Sequence, residues 1–261
     1  MAVTVASMPN FRDAGGRRTL DGATMRTGVL YRSDQIPVLT AEDLQALAGV
    51  GLRYVYDLRT EAERAMLPGG RVPGATHVPL DVLADDRQSM AARLLRLLAD
   101  PGPAESLLGE GRGVAMFVAS YRSFVELPSA QAAFRQLFEG LAVAERLPAM
   151  LHCTTGKDRT GWACASLQLL LGVPREEVVE DYLESNRRIL HKYAPHIAAF
   201  AAQGGDPAIL EPVLGVREEY LDAAIEAALG AHGSIEGYFR RGLGLDDATL
   251  GALKARFIVG R

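Results

Sequence analysis

Cys153 and Arg159 are separated by five residues: Thr154, Thr155, Gly156, Lys157 and Asp158. A thiolate can attack phosphorus and form a thiophosphate intermediate. A guanidinium offers a planar fork that grips two phosphoryl oxygens at once. A short loop between the two can turn its N–H groups inward and cradle a tetrahedral dianion, helped by the positive end of a following helix. The same field favours the thiolate over the thiol. Gly156 can take positive φ without cost. Thr160, directly after the arginine, can donate a hydrogen bond to the sulfur as it leaves.

These residues need a strand before them and a helix after them. Residues 148–151 form a short apolar run that reads as a buried strand, ending at His152 and Cys153. From Trp162 the pattern is helical through Ala163, Ala165, Leu167 and Leu169–Leu171, and Gly172-Val173-Pro174 stops it. His152 is placed to orient the loop through a hydrogen bond. Cys164 falls in the helix as a buried core residue. Two rival loops fail. A Walker loop needs a glycine where Leu151 stands and a Ser or Thr where Asp158 stands. A zinc site is poorly served by two cysteines and no His-Glu-x-x-His string.

Further back, residues 9–34 read as an N-terminal arm and hairpin with turns at Gly15-Gly16 and Asp21-Gly22. Arg12, Asp13, Arg32 and Asp34 suit a salt-bridge network there; bracing of the loop from below is the alternative. Thr40 reads as an N-cap with Asp43 at the capping-box position. Residues 50–57 read as a strand whose C-terminal end carries Asp57, at the sheet edge where ligands gather. Asp57 is therefore a candidate acid, or else a cap or an arginine partner. Asp81 ends the next strand, 75–80, as a turn residue. Residues 61–66 read as a short helix and 85–99 as an amphipathic one. Residues 99–103 read as a linker-like break, and a helical run over 114–141 is kinked near Pro128. Residues 174–186 and 189–203 read as helices, with a break at Pro195. A clean helix over 216–229 closes at Gly230. Residues 234–240 and 246–257 complete a helical C-terminal half.

With 261 residues, 48% hydrophobic and 23% charged, the chain can bury a sizeable single α/β core. Its formal net charge of −4, with scattered Lys and Arg, argues against a nucleic-acid partner. No signal peptide and no membrane span are visible, so stable membrane insertion is not expected and a cytoplasmic location is. Export by a route that uses no signal peptide stays compatible with this.

The string His-Cys-x-x-Gly-Lys-Asp-Arg-Thr-Gly, set between strand and helix, resembles the cysteine-dependent protein phosphatase superfamily. Lys157-Asp158 narrows the resemblance to bacterial tyrosine/phosphoinositide phosphatases of the mycobacterial PtpB type. Asn10-Phe11-Arg12-Asp13, Tyr31-Arg32-Ser33, Asp57-Leu58-Arg59 and Asp181-Tyr182-Leu183-Glu184-Ser185-Asn186 agree with it. The resemblance implies one phosphatase domain over 1–261, with 84–113 and 190–213 as possible helical insertions or lids. It implies a central, mostly parallel sheet flanked by helices, with a largely helical C-terminal half. It implies Cys153 as nucleophile, Arg159 as phosphate ligand and Thr160 as helper of sulfur departure, with Thr154, Thr155, Gly156 and Lys157 lining the phosphate. Related enzymes place the general acid directly before the arginine, where Asp158 stands; no Trp-Pro-Asp string exists to supply it from elsewhere. A carboxyl facing a bound dianion holds its proton to higher pH than one in water. The other role for Asp158 is to order the loop beside Arg159. Lys157 can meet a second phosphate, or stay solvated and tune the field. The expected substrates are phosphorylated proteins or phosphoinositides, with inorganic phosphate as product or inhibitor and neither metal nor cofactor. Two alternatives stand beside this: a pseudophosphatase that binds phosphorylated partners without turnover, and a rhodanese-like sulfurtransferase.

Overall fold

The computed structural model describes residues 3–86 and 101–260. Its strands are β1 (Arg12–Asp13), β2 (Thr24–Met25), β3 (Leu30–Ser33), β4 (Tyr54–Asp57), β5 (Thr76–Pro79), β6 (Ala149–His152) and β7 (Ile258–Val259). Five of them form one sheet in the order β1-β3-β6-β4-β5. All neighbours are parallel except β1, which runs antiparallel to β3. β6 is the central strand, and its neighbours β3 and β4 come from different parts of the chain.

Alternation along the strands divides the core into two. Leu30, Tyr56, Ala149 and Leu151 face one cluster, while Tyr31, Val55 and Met150 face the other. Both faces are covered, so the central strand β6 reads as a continuous apolar run, Ala149-Met150-Leu151, rather than as polar–apolar alternation. The smaller cluster is closed by α1 (Ala41–Val50) through Leu47, followed by Leu52. Thr40 and Asp43 make a reciprocal capping box at the start of α1. α2 (Glu61–Met66) follows β4.

The larger cluster is helical. It is built from α3 (Pro101–Leu108), α4 (Arg112–Glu126), α5 (Pro128–Ala142), α6 (Arg159–Leu170), α7 (Arg175–Ala202), α8 (Glu211–Leu214), α9 (Glu218–His232), α10 (Ile235–Gly237) and α11 (Asp247–Phe257). α6 is the hub. All but one of its residues are buried, which is why it shows no polar stripe. Trp162 on α6 donates its indole N–H to the Tyr238 hydroxyl at 3.4 Å. Phe117 on α4 stacks on Tyr220 of α9 at 5.3 Å.

The mixed α/β architecture agrees with the expected one. Several local expectations need correction. Pro195 does not break a helix: α7 runs through it. The proline lies on an exposed face, where water can take the carbonyl it leaves unpaired. Gly230 stays helical, and Gly233 ends α9 in the left-handed region with φ of 76°. Pro101 to Pro103 begin α3 rather than a linker, because proline is tolerated in a first helical turn. The strand expected over 50–57 starts only at Tyr54, since α1 extends through Val50 and Gly51 caps it. Most of the helix expected over 85–99 lies outside the described residues. The pairing of β2 with the C-terminal β7 had no signal in two-residue strands.

The parallel strands finish at one level. Ser33, His152, Asp57 and Pro79 lie in register across β3, β6, β4 and β5. The 153–158 loop leaves from the middle of that edge and leads straight into α6.

Candidate active site

The loop is held by its carbonyls. Thr154 O accepts from the Gln35 amide at 3.1 Å, Thr155 O from Asn10 Nδ2 at 2.9 Å, and Gly156 O from Arg32 Nη2 at 3.0 Å. Three successive carbonyls thus turn outward onto fixed donors. No amide from Thr154 to Asp158 donates to a protein acceptor among the described residues. Those N–H groups are therefore available to an anion, as a cradle at a helix N-terminus requires. Gly156 has φ of 68°, and a Cβ there would come within 2.1 Å of Ser33 O. The loop therefore sits directly on the end of β3, and only glycine fits.

The donors are themselves braced. Asp181 on α7 binds Arg12 Nε at 3.2 Å and Arg32 Nη1 at 3.0 Å. Arg12 Nη1 also donates to Asn10 Oδ1 at 2.5 Å. The two arginines, the asparagine and the aspartate are all buried. The arginines of the expected network thus pair with Asp181, while Asp13 accepts from the Gly15 and Gly28 amides and Asp34 pairs with Lys192; the Arg32 side chain also braces the loop.

Cys153 lies fully buried at the base of the loop. Arg159, at the start of α6, meets Glu63 of α2 in a bidentate pair, with Nη1–Oε2 at 2.6 Å and Nη2–Oε1 at 2.7 Å. Its Nη1 also donates to Leu58 O at 3.1 Å. A guanidinium carries five N–H donors. Three are used here, which leaves Nε–H and one Nη2–H. Those two lie parallel on one edge of the fork, the geometry that grips two oxygens of a phosphoryl group. Glu63 also accepts from the Thr154 hydroxyl and from the Thr60 amide. It ties the first residue of the loop to the arginine after its last.

Glu63 was not anticipated, although Thr60-x-x-Glu63 is a capping-box spacing and the box is present. Burial disfavours its charge, but the Arg159 hydrogen bonds and charge outweigh this and bring its pKa down to about 2. Arg159 is raised in turn, Glu63 overcoming its own burial. The sign for stability follows. A carboxyl depressed from 4.5 to about 2 stabilises the fold above pH 4.5, and the contribution is lost as pH falls toward 2. Glu63→Gln should therefore cost on the order of 3 kcal/mol at pH 7 and progressively less below pH 4.5. Denaturant midpoints measured down the acid range check this; a deficit independent of pH would contradict it.

Asp158 is the N-cap residue of α6, but its side chain makes no capping bond. Its Oδ1 instead accepts from Lys157 Nζ at 2.8 Å and from the Tyr121 hydroxyl at 3.0 Å. Its partners are thus Lys157 and Tyr121, not Arg159. Lys157 is neither solvated nor extended. It is buried, with Nζ 4.5 Å from the centre of the Phe117 ring. Thr160 Oγ1 is buried and has no hydrogen-bond partner among the described residues.

The candidate acid Asp57 lies beside the loop but is committed. Arg59 Nε and Nη2 hold both of its oxygens at 2.7–3.1 Å. Burial pushes the carboxyl up, yet the Arg59 hydrogen bonds outweigh it and keep the group below its ordinary range. His152 contacts Cys153 O through Nδ1 at 3.2 Å. Burial drives its pKa down to about 4, so the imidazole is neutral at pH 7. Cys164 is buried, and that burial raises its thiol to about 11. Asp81 caps the α2 region through the Glu61 amide. Among the described residues, no three His, Cys, Asp or Glu side chains are grouped to hold a metal ion, and no helix is long and apolar enough to cross a membrane.

The chain is similar to known proteins over most of its length. Residues 3–259 match the tyrosine phosphatase family. A Cupriavidus necator protein that carries a tyrosine-protein phosphatase name is 33% identical over 245 residues, covering 94% of this chain and 85% of that protein. The triple specificity protein phosphatase PtpB of Mycobacterium tuberculosis is 31% identical over 272 residues, covering 94% of this chain and 95% of its own. A tyrosine-protein phosphatase of Nostoc commune is 29% identical over 239 residues, covering 86% and 72%.

Proposed function

The chain belongs to the tyrosine phosphatase family, and from that premise we propose that it hydrolyses phosphomonoesters through a cysteinyl-phosphate intermediate, with phosphotyrosine as the first substrate class. The observation that carries this reading is the anchoring of three consecutive loop carbonyls onto Gln35, Asn10 and Arg32. It leaves the loop amides and two Arg159 donors available to a phosphoryl group held beside Cys153. Preorganised donors of this kind stabilise a transferring phosphoryl group without reorganisation.

In the first step the Cys153 thiolate attacks phosphorus and the bond to the leaving oxygen breaks. Asp158 gives that oxygen its proton. In the second, Asp158 accepts a proton from water as the water attacks phosphorus and the S–P bond breaks. Thr160 stabilises the departing thiolate. Asp158 takes the acid role over Asp57 because Asp57 already serves Arg59 through both oxygens. His152, neutral and buried, orients the loop.

Residues 190–213 act as a cover in this reading. Lys192 pairs with the buried Asp34 at 2.6 Å. Burial, with the charges of Asp158, Asp34 and Cys153 adding to it, raises the neighbouring Tyr193 phenol to about 12. A substrate reaching the buried Cys153 must displace side chains on this side. In this reading a single domain spans the chain; of the other expected insertion, 84–113, residues 87–100 lie outside the described residues.

Phosphoserine, phosphothreonine and phosphoinositides form the second substrate class; the mycobacterial relative is named for a specificity broader than one residue type. For a second phosphate, Lys157 would exchange Phe117 and Asp158 for substrate oxygens. Lys157→Ala should then cost phosphoinositide turnover roughly tenfold more than phosphotyrosyl-peptide turnover, the worth of one charge-assisted hydrogen bond. An equal loss on both substrates would assign Lys157 to the loop alone.

The test of the function is hydrolysis of para-nitrophenyl phosphate and a phosphotyrosyl peptide with EDTA present. Turnover unaffected by the chelator is expected. No turnover from folded protein would overturn the enzymatic reading and leave phosphopeptide binding as the activity to measure.

A further inference from the structure

Tyr121 and Tyr182 are phenols buried among apolar side chains, on α4 and α7, far from each other in sequence and from the loop. Their hydroxyls lie 2.6 Å apart, and Tyr121 reaches Asp158 Oδ1 at 3.0 Å. The direction of this chain is set by counting protons. A carboxylate only accepts, so Tyr121 must spend its one proton on Asp158. Tyr121 can then only accept from Tyr182, which must donate. The order is Tyr182 to Tyr121 to Asp158.

Lys157 Nζ donates to the same oxygen, Oδ1, at 2.8 Å. α4 supports both donors. Tyr121 is one, and Phe117, one helical turn earlier, carries Lys157 on its ring face. Tyr220 of α9 in turn packs against both rings, with centroids at 5.3 and 5.8 Å. Oδ1 therefore receives two hydrogen bonds, and none reaches Oδ2 among the described residues.

We propose that Tyr121, with its proton direction fixed by Tyr182, is a positioning residue that holds the Asp158 carboxyl by Oδ1 and leaves Oδ2 to carry the transferred proton. The proposal rests on Asp158 being the general acid. When Cys153 Sγ bonds to phosphorus and the P–O bond to the leaving group breaks, the Oδ2 proton passes to the leaving oxygen. The resulting carboxylate keeps its two donors on Oδ1. When water then attacks phosphorus, its proton returns to Oδ2, and the S–P bond electrons return to sulfur. Tyr121 is suited to this because it stays a donor throughout: burial and the Asp158 charge push both phenols well above their ordinary range.

The test is the ratio of kcat/KM for para-nitrophenyl phosphate to kcat/KM for phenyl phosphate. The first leaving group hardly needs a proton and the second does, while folding and phosphate binding cancel in the ratio. Wild type should give a ratio near unity. Asp158→Asn should raise it roughly 10²-fold, the loss of general acid catalysis. Tyr121→Phe keeps the ring and its packing and should raise the ratio roughly tenfold. Tyr182→Phe, which frees the Tyr121 proton to turn, should fall between wild type and Tyr121→Phe, and it provides the readout if Tyr121→Phe does not fold. A raised ratio for Asp158→Asn with unchanged ratios for both tyrosine variants would overturn the positioning role alone. An unchanged ratio for Asp158→Asn would overturn the acid assignment beneath it.

Discussion

Cys153→Ser is expected to abolish turnover while leaving phosphate binding intact. A serine hydroxyl at this position has no base among its described contacts, and an unactivated hydroxyl is a far weaker nucleophile than the sulfur of a cysteine. The loss should be roughly 10⁴-fold or more in kcat, above about 5 kcal/mol of barrier. The cradle itself does not depend on sulfur: its carbonyl anchors are Gln35, Asn10 and Arg32. Removing the negative sulfur should strengthen the binding of inorganic phosphate, since like charges are no longer opposed. Kinetics and titration calorimetry on the same preparation check both halves. Residual activity within tenfold of wild type would rule out Cys153 as nucleophile.

Arg159→Lys is expected to lose roughly 10²–10³-fold in kcat/KM, about 3–4 kcal/mol. The charge is kept, so a purely coulombic role would predict a small effect. Arg159, however, faces two ways at once. One edge of its fork is bound to Glu63 and Leu58 O, and the other is left for two phosphoryl oxygens. An ammonium cannot span both. The lysine variant should also unfold more easily, because the buried Glu63 keeps its charge but loses its bidentate partner. Comparison with Glu63→Gln separates the effects. The glutamine keeps one acceptor oxygen toward Arg159 and leaves the guanidinium itself in place, so it should lose much less activity than Arg159→Lys. Equal losses would mean that Arg159 acts mainly by closing the loop onto α2.

The loop was legible because its chemistry is local. Nucleophile, amides, glycine and arginine must follow one another along the chain to surround one phosphate, so order and spacing carry the information. Glu63 was half legible. The capping box with Thr60 is a sequence signal, but nothing in the sequence says that the same carboxylate continues to Arg159, 96 residues away. Asp181 with Arg12 and Arg32 was visible only as separate charges; their convergence depends on α7 crossing under the N-terminal arm. Tyr121 had no signal at all, since an aromatic on an apolar helix face reads as core, and here it is core with one polar end. The burial of Lys157 had no signal for a related reason: a lysine in a loop suggests solvent, and the Phe117 ring that shelters it lies on α4. The helical C-terminal half was legible in outline. Its stops were not, because Pro195 and Gly230 sit on exposed faces where helix continuation costs little.

The central claim is that the phosphoryl group passes through Cys153. It is tested most directly by mixing enzyme with para-nitrophenyl phosphate, quenching in acid on the millisecond scale, and mapping the peptides by mass spectrometry. The expected result is one added phosphoryl group on the peptide containing Cys153, absent from Cys153→Ser. Full turnover with no adduct on that peptide at any quench time, or an adduct on another residue, would contradict the account.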